Sequence, residues 1–152
     1  MAGEPALDKI LTALKASIVA TATTVDIDRP EDEEYGNAEL DAINILHNRT
    51  SYEPHSHGET LHRASVDLDM IVSVEASAAN GARLRIFEAD VVAALFVDRT
   101  LGGVAQDVIL ISSGGDEDVR ADHGARALSI EILYLTPLGD HRTIIGAAGL
   151  IP

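Results

Sequence analysis

The chain has no cysteine and no tryptophan, and three tyrosines and two phenylalanines are its whole stock of Phe, Trp and Tyr in 152 residues. Without cysteine, disulfides, thiolate metal sites and cysteine nucleophiles are excluded. The shortage of flat, rigid anchors leaves Val, Ile, Leu and Ala to fill the interior, and puts any interface on aliphatic contacts and backbone pairing. Basic residues are also few. Eleven Lys plus Arg against 25 acidic residues give a formal net charge of −14, so the average surface repels nucleic-acid phosphates and a DNA-gripping role is disfavoured. No apolar run approaches the roughly 18 residues that cross a bilayer. The opening segment MAGEPALDKILTALK lacks the basic stretch and apolar core of a secretory signal. The expectation is a soluble, cytoplasmic chain without membrane contact, in which Asn48-Arg49-Thr50 is a chance sequon.

What the chain does have is 46% hydrophobic residues, enough at this length for one ordinary domain. From Pro5 to about Ala20, Leu7, Ile10, Leu11, Leu14 and Ile18 recur at helical spacing, which predicts an amphipathic helix. Val25 to Pro30 alternates apolar and charged residues and reads as a short strand ended by the proline. Glu31 to Asp41 follows as a solvated acidic connector. Ala42–Tyr52 and His62–Ala76 form the halves of a long antiparallel hairpin joined by the polar segment Glu53–Leu61. In the second half Ala64, Val66, Leu68, Met70, Val72 and Val74 share one face and Arg63, Ser65, Asp67, Asp69, Ser73 and Glu75 the other, so one face is core and one is wet.

Ser77 to Asp98 returns to the helical period, with Leu84, Phe87, Val91 and Leu95 as its stripe and Gly102-Gly103 as punctuation after its end. Val104–Ser112 and Ala125–Pro137 read as a second hairpin, turning through Ser113–Asp118 and a polar stretch to Gly124. Leu133 and Leu135 oppose the main apolar face of the last strand, so both faces are expected to be covered near its end. The tail Leu138–Pro152, with Ile144, Ile145, Leu150 and Ile151, is too apolar for a solvated terminus and should dock, on its own domain or on a partner. Together these elements predict a single α+β domain over residues 1–152, with two helices packed on a mostly antiparallel β-sheet.

Candidate chemistry is sparse. His55-Ser56-His57, with His47 and His62 nearby, has some of the look of a metal site, but the pair sits in a polar loop with no carboxylate completing a ligand set. Asp116-Glu117-Asp118 lacks the alternating ligands and terminal glutamate of an EF-hand. Asp26/Asp28 and Asp67/Asp69 alternate as a wet sheet face does, without marking an acid–base couple. No nucleophile elbow, phosphate loop, dinucleotide fingerprint or zinc-protease helix appears. No catalytic residue, cofactor or metal ligand is assigned, and the chain is not expected to be an enzyme.

The segment Asp98-Arg99-Thr100-Leu101-Gly102-Gly103-Val104-Ala105-Gln106-Asp107-Val108, followed by a hairpin and Ile132-Leu133-Tyr134-Leu135-Thr136, resembles the C-terminal half of phage tail terminator proteins, including the minor tail protein U group of lambda-like siphophages. The element order, with its late Tyr-X-Thr strand and Gly139-Asp140 turn, extends the resemblance over most of the chain. It implies a structural virion protein at the head-proximal end of the tail. Such a subunit forms a homohexameric ring that caps the tail tube protein, stops its polymerisation and presents a surface to the head-side connector protein. DNA would pass through without specific binding, past a net-negative pore wall. The Glu53–Leu61 loop and the tail after Leu138 match no motif of that family. Head-closure or neck connectors, and a small-molecule-binding domain, are the alternatives. Partner contacts are expected at Tyr52, His55 and His57 of the first hairpin, at Asp116, Glu117 and Asp118 of the second, and at Leu138, Ile144, Ile145 and Leu150 of the tail. Truncation after Thr136 is expected to leave a folded monomer that cannot cap tails.

Overall fold

The computed structural model describes residues 3–73, 80–120 and 123–152, with the side chains of residues 80 and 116–120 left aside. Helix α1 (Ala6–Ile18) follows Pro5 and carries Asp8 in its first turn and Lys15 in its last, both favourable to the helix dipole. Its buried stripe is Ala6, Ile10, Leu11, Leu14 and Ile18, the residues that the 3.6 period selects. A single 3-10 turn, Val19–Thr21, leads into strand β1 (Thr24–Ile27). This strand ends before the expected Pro30. Asp28 takes a φ of 53°, a left-handed conformation that short polar side chains tolerate, and the chain leaves the sheet there.

Strands β2 (Ala42–Pro54), β3 (Glu59–Ser73), β4 (Asp107–Arg120) and β5 (His123–Pro137) complete a five-stranded sheet in the order β1-β2-β3-β5-β4. Only β1 runs parallel to its neighbour β2; the other pairings are antiparallel. Registers put Ile43 opposite Met70, Ile45 opposite Leu68, Val66 opposite Ile130 and Ala64 opposite Ile132. All of these are buried on one face. Helix α2 (Asn80–Leu95) packs with α1 over that face, against β3, β4 and β5. On the opposite, open face Leu135 is nevertheless buried, in agreement with the double-sided coverage expected near the end of β5.

The second hairpin departs from expectation. Ser113–Asp118 does not turn but continues β4, so Asp116, Glu117 and Asp118 are strand residues, with Glu117 paired to Ala125 and Asp118 to Gly124 near the start of β5 and Asp116 inside a register shift; their side chains lie outside those described. The ladder survives by three register shifts, one of them between Gly114 and Glu117. Gly115 supplies a φ of 86° there, the kind of backbone that lets a bulge absorb extra residues without ending the strand.

After α2 the chain is closed off by Asp98, whose Oδ1 accepts the Thr100 N–H at 2.9 Å and whose Oδ2 accepts that of Gly102 at 2.9 Å. Leu101, Gly102 and Gly103 all take positive φ, so the glycines do act as punctuation. Strand β4 starts at Asp107, three residues later than expected. The tail makes its own two-stranded sheet, β6 (Ile144–Gly146) with β7 (Gly149–Ile151). Ile144 is fully buried in the main core, so this end docks on its own domain. That corrects two expectations: Ile144 is not free for a partner, and truncation after Thr136 removes a core side chain.

Candidate interaction surfaces

Three places on the fold gather polar or unpaired groups. The first is the end of the sheet beside the β2–β3 turn. In β3 the core register passes from Ala64 to His62, which is 2% exposed and stacks on Tyr134 of β5 at 4.5 Å between ring centroids. Its Nε2 is 2.8 Å from the Thr136 hydroxyl. Tyr52 of β2 meets the same imidazole edge-on at 5.0 Å, and His141 caps it at 4.6 Å. Burial, and secondarily His141, push His62 down to about 4. Burial likewise raises the Tyr134 phenol.

The second place is the open sheet face under residues 28–41. Arg29 sits 4.0 Å over the ring of Tyr35, donates to Asp26 at 3.0 Å and Glu39 at 2.8 Å, and reaches the carbonyls of Glu33 and Glu34. The Glu39 and Asp26 carboxylates hold the guanidinium firmly charged, and in return Arg29 lowers Glu39. Asn44 accepts the Arg29 N–H and donates to its carbonyl, both at 3.0 Å. The acidic connector is therefore anchored on the sheet rather than loosely solvated. Beneath it lies a cleft of about 310 Å³ lined by Arg29, Tyr35, Leu46, Asp69, Ile71 and His123, among others. Tyr35 is buried with its hydroxyl near Asp26 but outside good hydrogen-bond geometry, and burial together with that carboxylate raises its phenol. Asp69 is raised by desolvation, then by Asp67 and Glu31.

The third is β4, one of the two edge strands of the sheet. Leu110 and Ile111 on it are 43% and 54% exposed, and its outer backbone edge faces no other strand among the described residues. No protein-family model matches this chain, and no curated protein matches it in sequence.

Of the residues singled out from sequence, Tyr52 is largely exposed yet belongs to the histidine cluster, while His55 and His57 are exposed at the hairpin turn. Leu138 and Leu150 are exposed, and Ile145 is partly covered. The structure does not bring these groups to one spot. Sequence reading missed Arg29 and Asn44 altogether. It also missed His62 as a buried group, although its position two residues before Ala64 places it on the apolar face of β3. His141 had no local signal, because its partners are about 80 residues away.

Proposed function

We propose that this protein is a structural ring subunit of the tail terminator kind, whose copies close on the end of a phage tail tube, stop its growth and offer a surface to the head-side connector. The observation that supports the reading best is the fourteen-residue outer strand β4 with Leu110 and Ile111 exposed on it. An unpaired edge strand with exposed apolar side chains is a natural site of strand addition in an assembly. The opposite edge, β1, is only four residues long, and in this reading β4 docks on a different surface of the next copy. Such head-to-tail contacts generate a ring when the rotation closes. The formal charge of −14 suits a lumen past which DNA slides.

The test is to mix purified protein with uncapped tails and locate it by negative-stain electron microscopy. Ring-shaped density at one tube end is expected; protein found along the tube, on the portal side or nowhere on the particle overturns the assignment. Portal-side density would favour a head-closure connector instead. The open-face cleft favours a second reading, a small-molecule-binding domain, which would show saturable shifts of the Leu46 and Ile71 methyls in an NMR metabolite screen.

A further inference from the structure

We propose that His62, packed against His141, is a proton-sensitive latch: neutral, it holds the turn at residues 138–143 against the hairpin end of the sheet, and protonated, it releases it. The inference concerns this end of the molecule and does not rest on the ring reading. Two imidazoles meet at 4.6 Å, one of them almost fully buried between tyrosine rings. An imidazolium at the buried His62 position loses water that the surrounding rings do not replace. The groups facing His62 are Tyr52 from β2, Tyr134 and Thr136 from β5, and His141 from the turn. The nearest helix contributes Asp8, which acts on Tyr134. No carboxylate among the described residues sets the charge of His62, so none offsets an imidazolium there.

The turn is a joint between three parts of the fold. The Leu138 N–H donates to the Gly58 carbonyl at the hairpin tip at 2.8 Å, and the Ala6 N–H at the start of α1 donates to the His141 carbonyl at 2.7 Å. Lys9 Nζ donates to the Arg142 carbonyl at 2.6 Å, and Arg142 Nε to the Gly3 carbonyl at 3.0 Å. Tyr52 packs on His141 at 5.2 Å. Opening the latch therefore frees the β2–β3 tip together with the turn, while the centre of the sheet keeps its ladder.

The direction follows from linkage. With His62 held near 4 when closed and at its ordinary 6.5 when open, the closed state is fully favoured above pH 6.5 and loses ground as the pH falls towards 4. Between pH 7 and pH 5 the open population grows by as much as roughly twentyfold. Hydrogen-exchange mass spectrometry of the full chain, corrected for intrinsic exchange, should show that loss of protection over residues 52–61 and 138–143 and none over residues 64–70. In His62→Gln, which retains a donor for Thr136 but does not titrate, protection of both segments should be flat with pH. An undiminished acid response in this variant overturns the latch. Should that variant fail to fold, an NMR titration of the wild-type rings decides: a His62 imidazole protonating at the ordinary histidine value overturns the proposal, and one protonating far below it sustains it.

Discussion

Replacing Ile144 by Ala tests whether the last fifteen residues are part of the fold or an appendage. Ile144 is fully buried among the core side chains, while Leu150, six residues later on the paired strand β7, is 66% exposed. The substitution deletes three carbon atoms, which at about 0.8 kcal/mol each amounts to roughly 2.4 kcal/mol of lost burial. The rigid surroundings of β6 prevent full collapse, so a cavity contribution brings the expected loss to about 3 kcal/mol, within the range typical of such truncations. In a domain of this size that corresponds to a fall of about 6–12 °C in Tm. Urea titration followed by far-UV circular dichroism, which needs no tryptophan, gives the midpoint and slope for the wild type, Ile144→Ala and Leu150→Ala. Leu150→Ala should stay within about 0.5 kcal/mol of the wild type, as exposed positions usually do. A loss below about 1 kcal/mol for Ile144→Ala, or a Leu150→Ala loss as large, refutes the placement of this segment in the core.

Gly146→Ala probes the same segment from its other side. A Cβ there would lie 2.7 Å from the Gly103 carbonyl oxygen and 2.7 Å from Ile151 Cδ1, so β6 must shift off the loop after α2, at about 1–3 kcal/mol in a denaturation curve; an unchanged midpoint would show that the approach is looser. Asp69→Asn removes a carboxylate whose charged form is penalised by burial, Asp67 and Glu31. Because the folded-state value is raised, the wild type is handicapped at neutral pH and recovers as the pH falls through it. The variant should therefore gain stability at pH 7 and lose that advantage in acid, and an advantage independent of pH would contradict this account. Ile111→Lys places a charge on the exposed edge of β4. It should leave urea stability within about 0.5 kcal/mol while reducing self-association measured by light scattering, and association that persists would move the contact elsewhere.

Much of the fold is legible in the chain because it is written in local periods. The residues Ile10, Leu11, Leu14 and Ile18 of α1, and the even-numbered residues 64 to 72 of β3, are the ones that the 3.6 and 2.0 spacings pick out. The alternation in β3 continues to His62, so a buried histidine was implicit in the pattern that placed Ala64. Where the reading failed, a non-local or conformational fact decided the outcome. Gly114-Gly115 looks like a turn by composition, yet the ladder to β5 carries on through it because a positive φ fits a bulge as well as a bend. Ile144 looks like any apolar tail residue, and only the position of β5 makes it core.

The acidic connector shows the same limit from the side of charge. Its composition reads as a solvated loop, and most of its carboxylates are indeed exposed. One cation changes its fate, since Arg29 joins Asp26, Glu39, two backbone carbonyls and the Tyr35 ring in a single arrangement. Asn44 then ties that arrangement to the sheet from a position whose strand neighbours Ile43 and Ile45 face the opposite way. A charge count sums the loop to a repulsive tract, whereas the pairing geometry makes it a cover for the open face. What the connector leaves uncovered is the outer strand β4, and there Leu110 and Ile111 are exposed. A formal net charge of −14 thus says little about where the carboxylates sit, and the pairing of Arg29 with Asp26 and Glu39 decides it.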